Sequence, residues 1–172
     1  MRHILIILSI FLFSFIYISC SKSSDDGSKS TDNTTTSHWT KQLGTTSSDY
    51  GYSVTTDSSG NIYVTGYTVG ELDGNTNSGN EDIFLVKYNS SGTKQWTKQL
   101  GTSYKERGKD VTTDSSGNIY VTGSTSGGLD GNRHLGGSDI FLVKYNSSGT
   151  KQWTKQLGTE VDPKSRTVFL MS

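Results

Sequence analysis

The chain contains a 57-residue unit twice in succession. Residues 39–95 align with residues 96–152 without a gap, and fifteen of the 57 positions differ, which leaves 42 identical. Trp39, Trp96 and Trp153 each open the same heptapeptide, Trp-Thr-Lys-Gln-Leu-Gly-Thr, and after the third one the pattern is lost. A repeat of this length and regularity is typical of arrays in which each unit packs on the next. The fold must therefore place two nearly identical units side by side.

Each unit contains four segments with the composition of β-strands. In the first unit these segments are 51–57, 61–67, 82–89 and 93–100, and a Ser-Ser-Gly turn joins the first to the second and the third to the fourth. Glycine supplies the positive φ that tight hairpin turns need. The chain contains no alanine and is rich in Ser, Thr, Gly and Asn, which disfavours helices. We predict two antiparallel hairpins in each unit.

Apolar side chains alternate on both faces of these strands. Ile83 and Leu85 point to one face of the third segment, and Phe84 and Val86 point to the other. A strand that is apolar on both faces needs a covering layer on each side. A four-stranded antiparallel sheet stacked between copies of itself provides both layers, and such a sheet is a β-propeller blade. We therefore predict an all-β fold of β-propeller-type, four-stranded antiparallel blades.

Three motifs recur in both units. They are residues 57–66, 82–92 and Trp96 in the first unit, and 114–123, 139–149 and Trp153 in the second. With these motifs the two units resemble a known family, the bacterial β-propeller repeat labelled SBBP. The resemblance implies a propeller fold and a surface or secreted setting, and it implies no agreed activity.

The chain supplies about two blades, at 51–100 and 108–157, whereas a propeller normally closes with four to eight. The segment 39–43 has no preceding hairpin, so we predict that it is an orphan strand. The two repeats together occupy residues 39–157, and residues 158–172 are predicted to be a truncated third repeat. We therefore expect an incomplete propeller.

Two blades leave apolar faces uncovered, and three outcomes follow from that. The chain could assemble with itself into a ring, or it could pair with another propeller-repeat protein. Alternatively, it is a marginally stable, truncated fragment of a longer array without a present function.

The first nineteen residues differ from the rest of the chain. They combine a basic start with an apolar run from Ile4 to Ile18 that only Ser9 and Ser14 interrupt. As a helix this run would be about 22 Å long, whereas a bilayer core is about 30 Å thick. Residues 1–19 are therefore predicted to be a signal peptide rather than a membrane span.

Cys20 follows the apolar run directly and is the only cysteine of the chain. The tetrapeptide 17–20 resembles the lipobox of bacterial lipoproteins, in which cleavage leaves the cysteine first and its thiol receives a lipid. We predict lipidation of Cys20 and a lipid-anchored protein of the cell envelope, at the outer membrane or cell surface. The alternative is a secreted protein that is cleaved near Ser19. Residues 20–38 lack apolar side chains after Cys20 and are predicted to be a disordered polar tether.

All fifteen differences between the units lie in 46–53 and 67–81, or in their counterparts 103–110 and 124–138. Successive connections of an up-and-down sheet alternate between its two ends, so these positions should gather at one end of the blades. We predict a binding face there for an unknown protein or glycan ligand; the alternative is neutral drift of unconstrained loops. The candidate residues are Asp49, Tyr50, Glu71 and Glu81 in the first unit and Tyr104, Lys105, Arg107, Arg133 and His134 in the second.

The composition disfavours several other function classes. The 16 basic residues balance the 16 acidic ones, and no basic-aromatic stripe suggests nucleic acid. The three histidines have no nucleophile at a suggestive spacing. We therefore expect a binding module without catalytic residues, a bound metal or a cofactor. A quinoprotein-like enzyme subunit is a less favoured alternative, based on the spacing from Gly92 to Trp96.

Overall fold

The computed structural model describes residues 39–161 and 168–169, and their fold consists of two four-stranded antiparallel sheets. In each sheet the spatial order of the strands is their order in the chain. The prediction of four-stranded antiparallel blades is confirmed, and within the blades each predicted strand begins and ends within two residues of an observed one. Blade 1 contains β1 (Asp49–Thr56), β2 (Ile62–Thr68), β3 (Asp82–Tyr88) and β4 (Lys94–Leu100), and blade 2 contains β5 (Glu106–Thr113), β6 (Ile119–Thr125), β7 (Asp139–Tyr145) and β8 (Lys151–Leu157).

An aspartate organises the first hairpin turn of each blade. One carboxylate oxygen of Asp57 accepts hydrogen bonds from the backbone N–H groups of Ser59 and Asn61, both at 2.9 Å, and the other accepts one from the Tyr63 hydroxyl at 3.0 Å. Gly60 completes the turn with a φ of 75°, as predicted for this position. Asp114 makes the same set of bonds in blade 2, so the repeated sequence gives a repeated turn.

The two blades pack face to face. Ile83 and Leu85 of β3 point toward blade 2, whereas Phe84 and Val86 point away from it, which confirms the predicted alternation. Strands β1, β2 and β3 all contact β5, so β1 and β5 lie where the blades approach each other most closely. The core between the blades contains Tyr63, Ile83 and Leu85 of blade 1 and Val111, Ile119, Val121, Leu129, Phe141, Val143 and Tyr145 of blade 2.

The long β2–β3 loop contributes a core residue that the sequence did not reveal. A short 3-10 turn spans Leu72–Gly74, and Leu72 is almost fully buried against Phe84 and Val86. Its backbone N–H donates to the Gln99 side-chain oxygen at 3.1 Å, which ties the loop to β4. The same turn recurs at Leu129–Gly131 in blade 2.

The segment 39–43, predicted to be an orphan strand, has no strand partner and is not a strand in the structure, so that part of the prediction is wrong. Residues 39–48 form no strand, since no neighbouring strand is available for a hydrogen-bond ladder. The Trp39 ring nevertheless packs on Gly92, where an added Cβ would lie 2.7 Å from it. The Trp96 ring of β4 packs in the same way on Gly149 of blade 2, with a corresponding distance of 3.0 Å. Relative to blade 1, Trp39 therefore occupies the place that Trp96 occupies relative to blade 2.

Little of the predicted third repeat and leader lies within the described residues. After blade 2, Glu160–Val161 pairs antiparallel with Val168–Phe169. The signal peptide predicted at 1–19, Cys20, the tether predicted at 20–38 and the rest of 158–172 lie outside the described residues. Among the residues that are described, no helix has the length and hydropathy that a bilayer crossing requires.

Candidate functional site

The positions at which the two repeats differ lie at one end of the blades, which we call the variable end. It consists of the β2–β3 and β6–β7 loops, the links that lead into β1 and β5, and the parts of β1, β2, β5 and β6 that border them. The backbone N–H of Asn80 in the β2–β3 loop donates to the Tyr104 carbonyl at 3.1 Å, and the N–H of Val69 donates to the Ser48 carbonyl at 3.0 Å. The conserved Ser-Ser-Gly turns lie at the opposite end, where Gly60 approaches the Ser90 side chain. The structure thus brings loop and link together as the alternation of connections predicts.

Three tyrosines form a cluster at the variable end, which we call the tyrosine cluster: Tyr50, Tyr52 and Tyr67. The register of β1 on β2 places Tyr50 opposite Tyr67, and their rings stack with centroids 5.0 Å apart and planes inclined by 24°. The Tyr52 ring lies 5.8 Å from the same tyrosine. Tyr67 is nearly buried, whereas Tyr50 is 50% exposed and Tyr52 is 45% exposed. The cluster therefore presents two aromatic rings to solvent on a buried support.

Two cations from blade 2 lie over this cluster. The Arg107 guanidinium is 5.1 Å from the Tyr67 ring centroid, and the Lys109 ammonium is 3.7 Å from that of Tyr52. Both distances are within the range of cation–π attraction. The aromatic side chains of blade 1 and the basic side chains of blade 2 therefore form one surface across the junction of the blades.

An ion pair fixes Arg107 in this position. Its Nη2 donates to Glu81 Oε1 at 2.8 Å, and its Nε donates to Oε2 of the same carboxylate, so the pair is bidentate. The hydrogen bonds from Arg107 hold the pKa of Glu81 below its usual value, and the carboxylate in turn raises the pKa of Arg107. The Glu81 carbonyl also accepts the Glu106 backbone N–H at 2.7 Å. Glu81 thus joins blade 1 to blade 2 through both its side chain and its backbone.

The tyrosine hydroxyl at the centre of the cluster stays protonated. Burial raises the pKa of Tyr67, and the neighbouring Tyr52 and Glu81 raise it further by disfavouring a negative charge, against a smaller opposite effect of Arg107. A neutral phenol can donate a hydrogen bond as well as accept one. The exposed part of the site consists of the aromatic faces of Tyr50 and Tyr52 beside two cations.

Asp49, a predicted binding residue, is engaged within its own link. Its Oδ2 accepts hydrogen bonds from the Thr45 backbone N–H at 2.6 Å and from the Thr45 hydroxyl at 3.1 Å. Its counterpart Glu106 is fully buried and accepts the equivalent bonds from Thr102 at 2.6 and 2.8 Å. These contacts order the link that leads into the first strand of each blade.

The other predicted residues divide into two groups. Tyr50, Glu81 and Arg107 meet around Tyr67, and Tyr104 and Lys105 lie exposed on the link beside Glu81.

The second group has partners elsewhere. Arg133 pairs with Glu160 at 2.9 Å, and His134 Nδ1 lies 3.2 Å from Asp139 Oδ2, a carboxylate that also accepts the backbone N–H of Leu135. Glu71 is exposed in the β2–β3 loop. These three residues are therefore peripheral to the tyrosine cluster.

Three residues of the site were absent from the sequence prediction: Tyr52, Tyr67 and Lys109. All three lie at positions where the two repeats differ, which is the criterion by which the other candidates were chosen. Tyr50 and Tyr52 lie on one face of β1 because successive side chains of a strand alternate. Only the pairing register of β1 with β2 places Tyr67 between them, and the sequence does not fix that register.

The variable end is aromatic and basic in character. Within residues 39–161, no group of three or more His, Cys, Asp or Glu side chains is arranged to hold a metal ion. In the same range His134 is the sole histidine, and its hydrogen-bond contact is with the loop-ordering carboxylate of Asp139. What the site presents is an aromatic surface bordered by cations, which suits stacking and charge pairing.

Comparison with known proteins supports the repeat type. The family model described as "SBBP: Beta-propeller repeat" matches residues 38–73 and 95–130, one segment in each unit. The match supports the SBBP type of β-propeller repeat for one segment of each unit, in agreement with the resemblance inferred from the sequence motifs.

Two curated relatives match larger parts of the chain. An uncharacterised WD repeat-containing protein, L264, of Acanthamoeba polyphaga mimivirus is 26% identical over 160 residues, which cover 70% of this chain. The regulatory protein FlaEY of Caulobacter vibrioides is 30% identical over 117 residues, or 60% of this chain. The matched part is 12% of the length of each relative, so this chain corresponds to a small part of either protein.

Proposed function

We propose that the protein is a lipid-anchored module of the cell envelope that binds a partner through its variable end and catalyses no reaction. The observation that carries the proposal is the tyrosine cluster. Two exposed aromatic rings lie beside Arg107 and Lys109, in the region where the two repeats differ, which comprises the loops and links at one end of the blades and the strand segments that border them. Binding residues are commonly found on variable loops that a rigid scaffold positions.

The fold of the repeats and one relative's name are consistent with an interaction role. WD repeats are themselves β-propeller repeats. The mimivirus relative is described by its WD repeats and the Caulobacter relative as a regulatory protein. Neither description names an enzyme activity.

The chemistry of the cluster favours a protein or glycan ligand with polar and planar or ring-shaped groups. Tyrosine rings contribute large contact areas at a small cost in conformational entropy, and they are common at interfaces. The flanking cations would add attraction to carboxylate or other anionic groups of the ligand.

Binding to defined probes tests this proposal. The full chain in detergent micelles would be applied to immobilised peptidoglycan fragments, lipopolysaccharide and purified envelope proteins. For any probe that binds, we expect Tyr50→Ala combined with Tyr52→Ala to weaken the interaction at least about tenfold, because both exposed rings are lost.

The matched control places two substitutions at the opposite end of the blades: Ser58→Ala combined with Ser115→Ala, both at exposed turn positions. This control should bind like the wild type, and circular dichroism should show the same strand content in all three proteins. Equal binding by the tyrosine variant and the wild type would refute the assignment of the site.

Lipid anchoring is tested separately at Cys20. We expect the mature wild-type protein to fractionate with membranes and to carry the mass of an N-terminal diacylated cysteine. Cys20→Ser should move the protein to the soluble fraction without that added mass, since one thiol supplies the attachment point. A wild-type protein that lacks the lipid mass would rule out the anchor.

A further inference from the structure

Each blade has an apolar face that the other blade leaves open. Ile140 and Leu142 of β7 are 61% and 38% exposed, whereas the identical residues of blade 1, Ile83 and Leu85, are 3% and 1% exposed because blade 2 covers them. On the far side of blade 1, Val54 is 64% exposed. Its counterpart in blade 2 is buried in the core between the blades. Among the described residues, the face of blade 2 that carries Ile140 and Leu142 is therefore open. The far face of blade 1 is open at Val54, whereas Leu72, Phe84 and Val86 of that face are buried beneath the segment that precedes the blade.

These two faces have the sequences of the interface that already exists inside the chain. The apolar residues by which blade 1 packs on blade 2 recur on the open face of blade 2, whereas Tyr67 and Glu81 of the same junction are replaced there by Ser124 and Ser138. The side of blade 2 that receives these apolar residues recurs as the open face of blade 1. The first set is Tyr63, Ile83, Leu85, Trp96 and Leu100, repeated as Tyr120, Ile140, Leu142, Trp153 and Leu157; the second is Val111, Ile119, Val121, Leu129, Phe141, Val143 and Tyr145, repeated as Val54, Ile62, Val64, Leu72, Phe84, Val86 and Tyr88.

The polar contacts of the inner strands also fit a repeated interface. Within the chain, Lys109 of β5 lies over Tyr52 of β1, and the Ser53 hydroxyl donates to Asp110 at 2.6 Å. Each contact joins equivalent positions of the two repeats, since the partners are 57 residues apart. If blade 2 of one copy stood beside blade 1 of another, lysine would again meet tyrosine, and aspartate would again meet serine. No pair of like charges arises at these positions.

A groove marks where the second copy would dock. It has a volume of about 360 Å³ and lies between the segment that begins at Trp39 and the open face of blade 1. Val54, Val64, Phe84 and Val86 line it. In blade 2, the equivalent surface is filled by Tyr63, Ile83 and Leu85 of blade 1. The groove therefore lacks one aromatic and two aliphatic side chains that the open face of blade 2 carries.

The segment 39–43 mimics the outer strand of such a neighbour. Its sequence, Trp-Thr-Lys-Gln-Leu, is identical to that of 153–157 at the end of β8, and Trp39 packs on Gly92 as Trp96 packs on Gly149. An incoming blade 2 would bring Trp153 to the place that Trp39 holds. Because residues 153–157 have the same sequence as residues 39–43, the exchange itself contributes no net free energy of association. The favourable free energy comes from burying the inner apolar parts of the two faces.

We propose that the chain assembles head to tail, with the open face of blade 2 of one copy docked on the open face of blade 1 of the next, in the manner of the interface between its own blades, and with residues 153–157 replacing residues 39–43. Such a contact is heterologous, and it either closes into a ring or continues as a filament. Propellers close with four to eight blades, so closure takes two to four copies.

Native mass spectrometry of the full chain in detergent micelles measures the assembly. We expect species of two to four chains for the wild type. Ile140→Asp should raise the dissociation constant at least about 100-fold, because it would bury an unpaired carboxylate in the apolar interface. Ser115→Asp adds the same charge at an exposed turn and should assemble like the wild type.

Trp39→Ala distinguishes this docking from other modes of association. It removes the side chain that competes with Trp153 of the incoming copy, so assembly should strengthen, by about tenfold in the dissociation constant. Ile140→Asp should therefore raise the dissociation constant of the assembly, and Trp39→Ala should lower it. A loss of assembly in Trp39→Ala, or a wild-type chain that remains monomeric at all concentrations, would overturn the proposal.

A mixing experiment identifies the contact itself. Ser53→Cys and Asp110→Cys are made in separate chains, so that neither chain has the partner thiol of this contact within itself. After mild oxidation of the mixture, we expect a disulfide between residue 53 of one chain and residue 110 of another, identified by peptide mass. Neither variant alone should give a bond between its own copies at these positions. Absence of the mixed bond from assembled protein would contradict the proposed docking.

Discussion

At the scale of single residues, Glu81 and Arg107 give the junction of the blades its specificity. Among the described residues, theirs is the one ion pair that connects blade 1 with blade 2. The equivalent positions in the other repeat are Ser138 and Tyr50, so the pair belongs to this junction alone. The Glu81 side chain is only 12% exposed, which protects the interaction from solvent screening.

This pair should make the stability of the protein depend on pH. Because Arg107 lowers the pKa of Glu81 in the folded protein, the pair stabilises the fold at pH values above the unfolded pKa, about 4.5. That contribution is lost as the pH falls through the lower, folded pKa. We expect Glu81→Gln to cost about 1 kcal/mol of unfolding free energy at pH 7, and the difference from the wild type to shrink as the pH falls below about 4.5.

Urea unfolding of the full chain at a series of pH values measures this difference. Glu71→Gln, which removes the same charge from an exposed loop position, is the matched control and should follow the wild type at every pH. A constant gap between Glu81→Gln and the wild type from pH 7 to pH 3 would show that the ion pair contributes nothing.

At the scale of strands and turns, the sequence predicts whatever depends on local pattern. The alternation of Ile83 and Leu85 with Phe84 and Val86 identified both faces of β3, because the period of a strand is two and each face here has its own core. The Ser-Ser-Gly turns were predictable for a similar reason, since Gly60 needs a positive φ that few other residues adopt.

Features that depend on tertiary contacts were not predictable. The sequence of the β2–β3 loop is mostly polar, yet Leu72 in this loop is buried. It lies in a 3-10 turn that packs against the sheet, and its backbone N–H donates a hydrogen bond to the Gln99 side chain. The sequence suggests an exposed carboxylate at Asp49, and only the fold of the link shows that it accepts a hydrogen bond from the Thr45 backbone N–H. The site was predicted in part. The alternation of connections between the two ends of a sheet located the variable end. Tyr67 belongs to the site because of the register of β1 on β2, which the sequence alone does not fix.

At the scale of the whole molecule, the two blades form a stack rather than a closed propeller. One interface buries Ile83 and Leu85, whereas their counterparts Ile140 and Leu142 at the outer face of blade 2 are exposed, as is Val54 at the outer face of blade 1. Identical residues therefore have different environments according to the blade in which they lie. Equivalent residues of the two blades can therefore be compared directly. They share the side chain, the strand position and the neighbouring sequence, and they differ in burial.

The matched pair Ile83→Ala and Ile140→Ala uses this comparison to test the central claim, that the repeats are blades packed face to face. Urea unfolding of the full chain would be measured at concentrations low enough for native mass spectrometry to show a monomer. We predict that Ile83→Ala, at a site that is 3% exposed, lowers the free energy of unfolding by about 2–4 kcal/mol, and that Ile140→Ala, at a site that is 61% exposed, lowers it by less than about 1 kcal/mol. Equal losses from the two substitutions in the monomer would contradict the packing of blade 1 on blade 2.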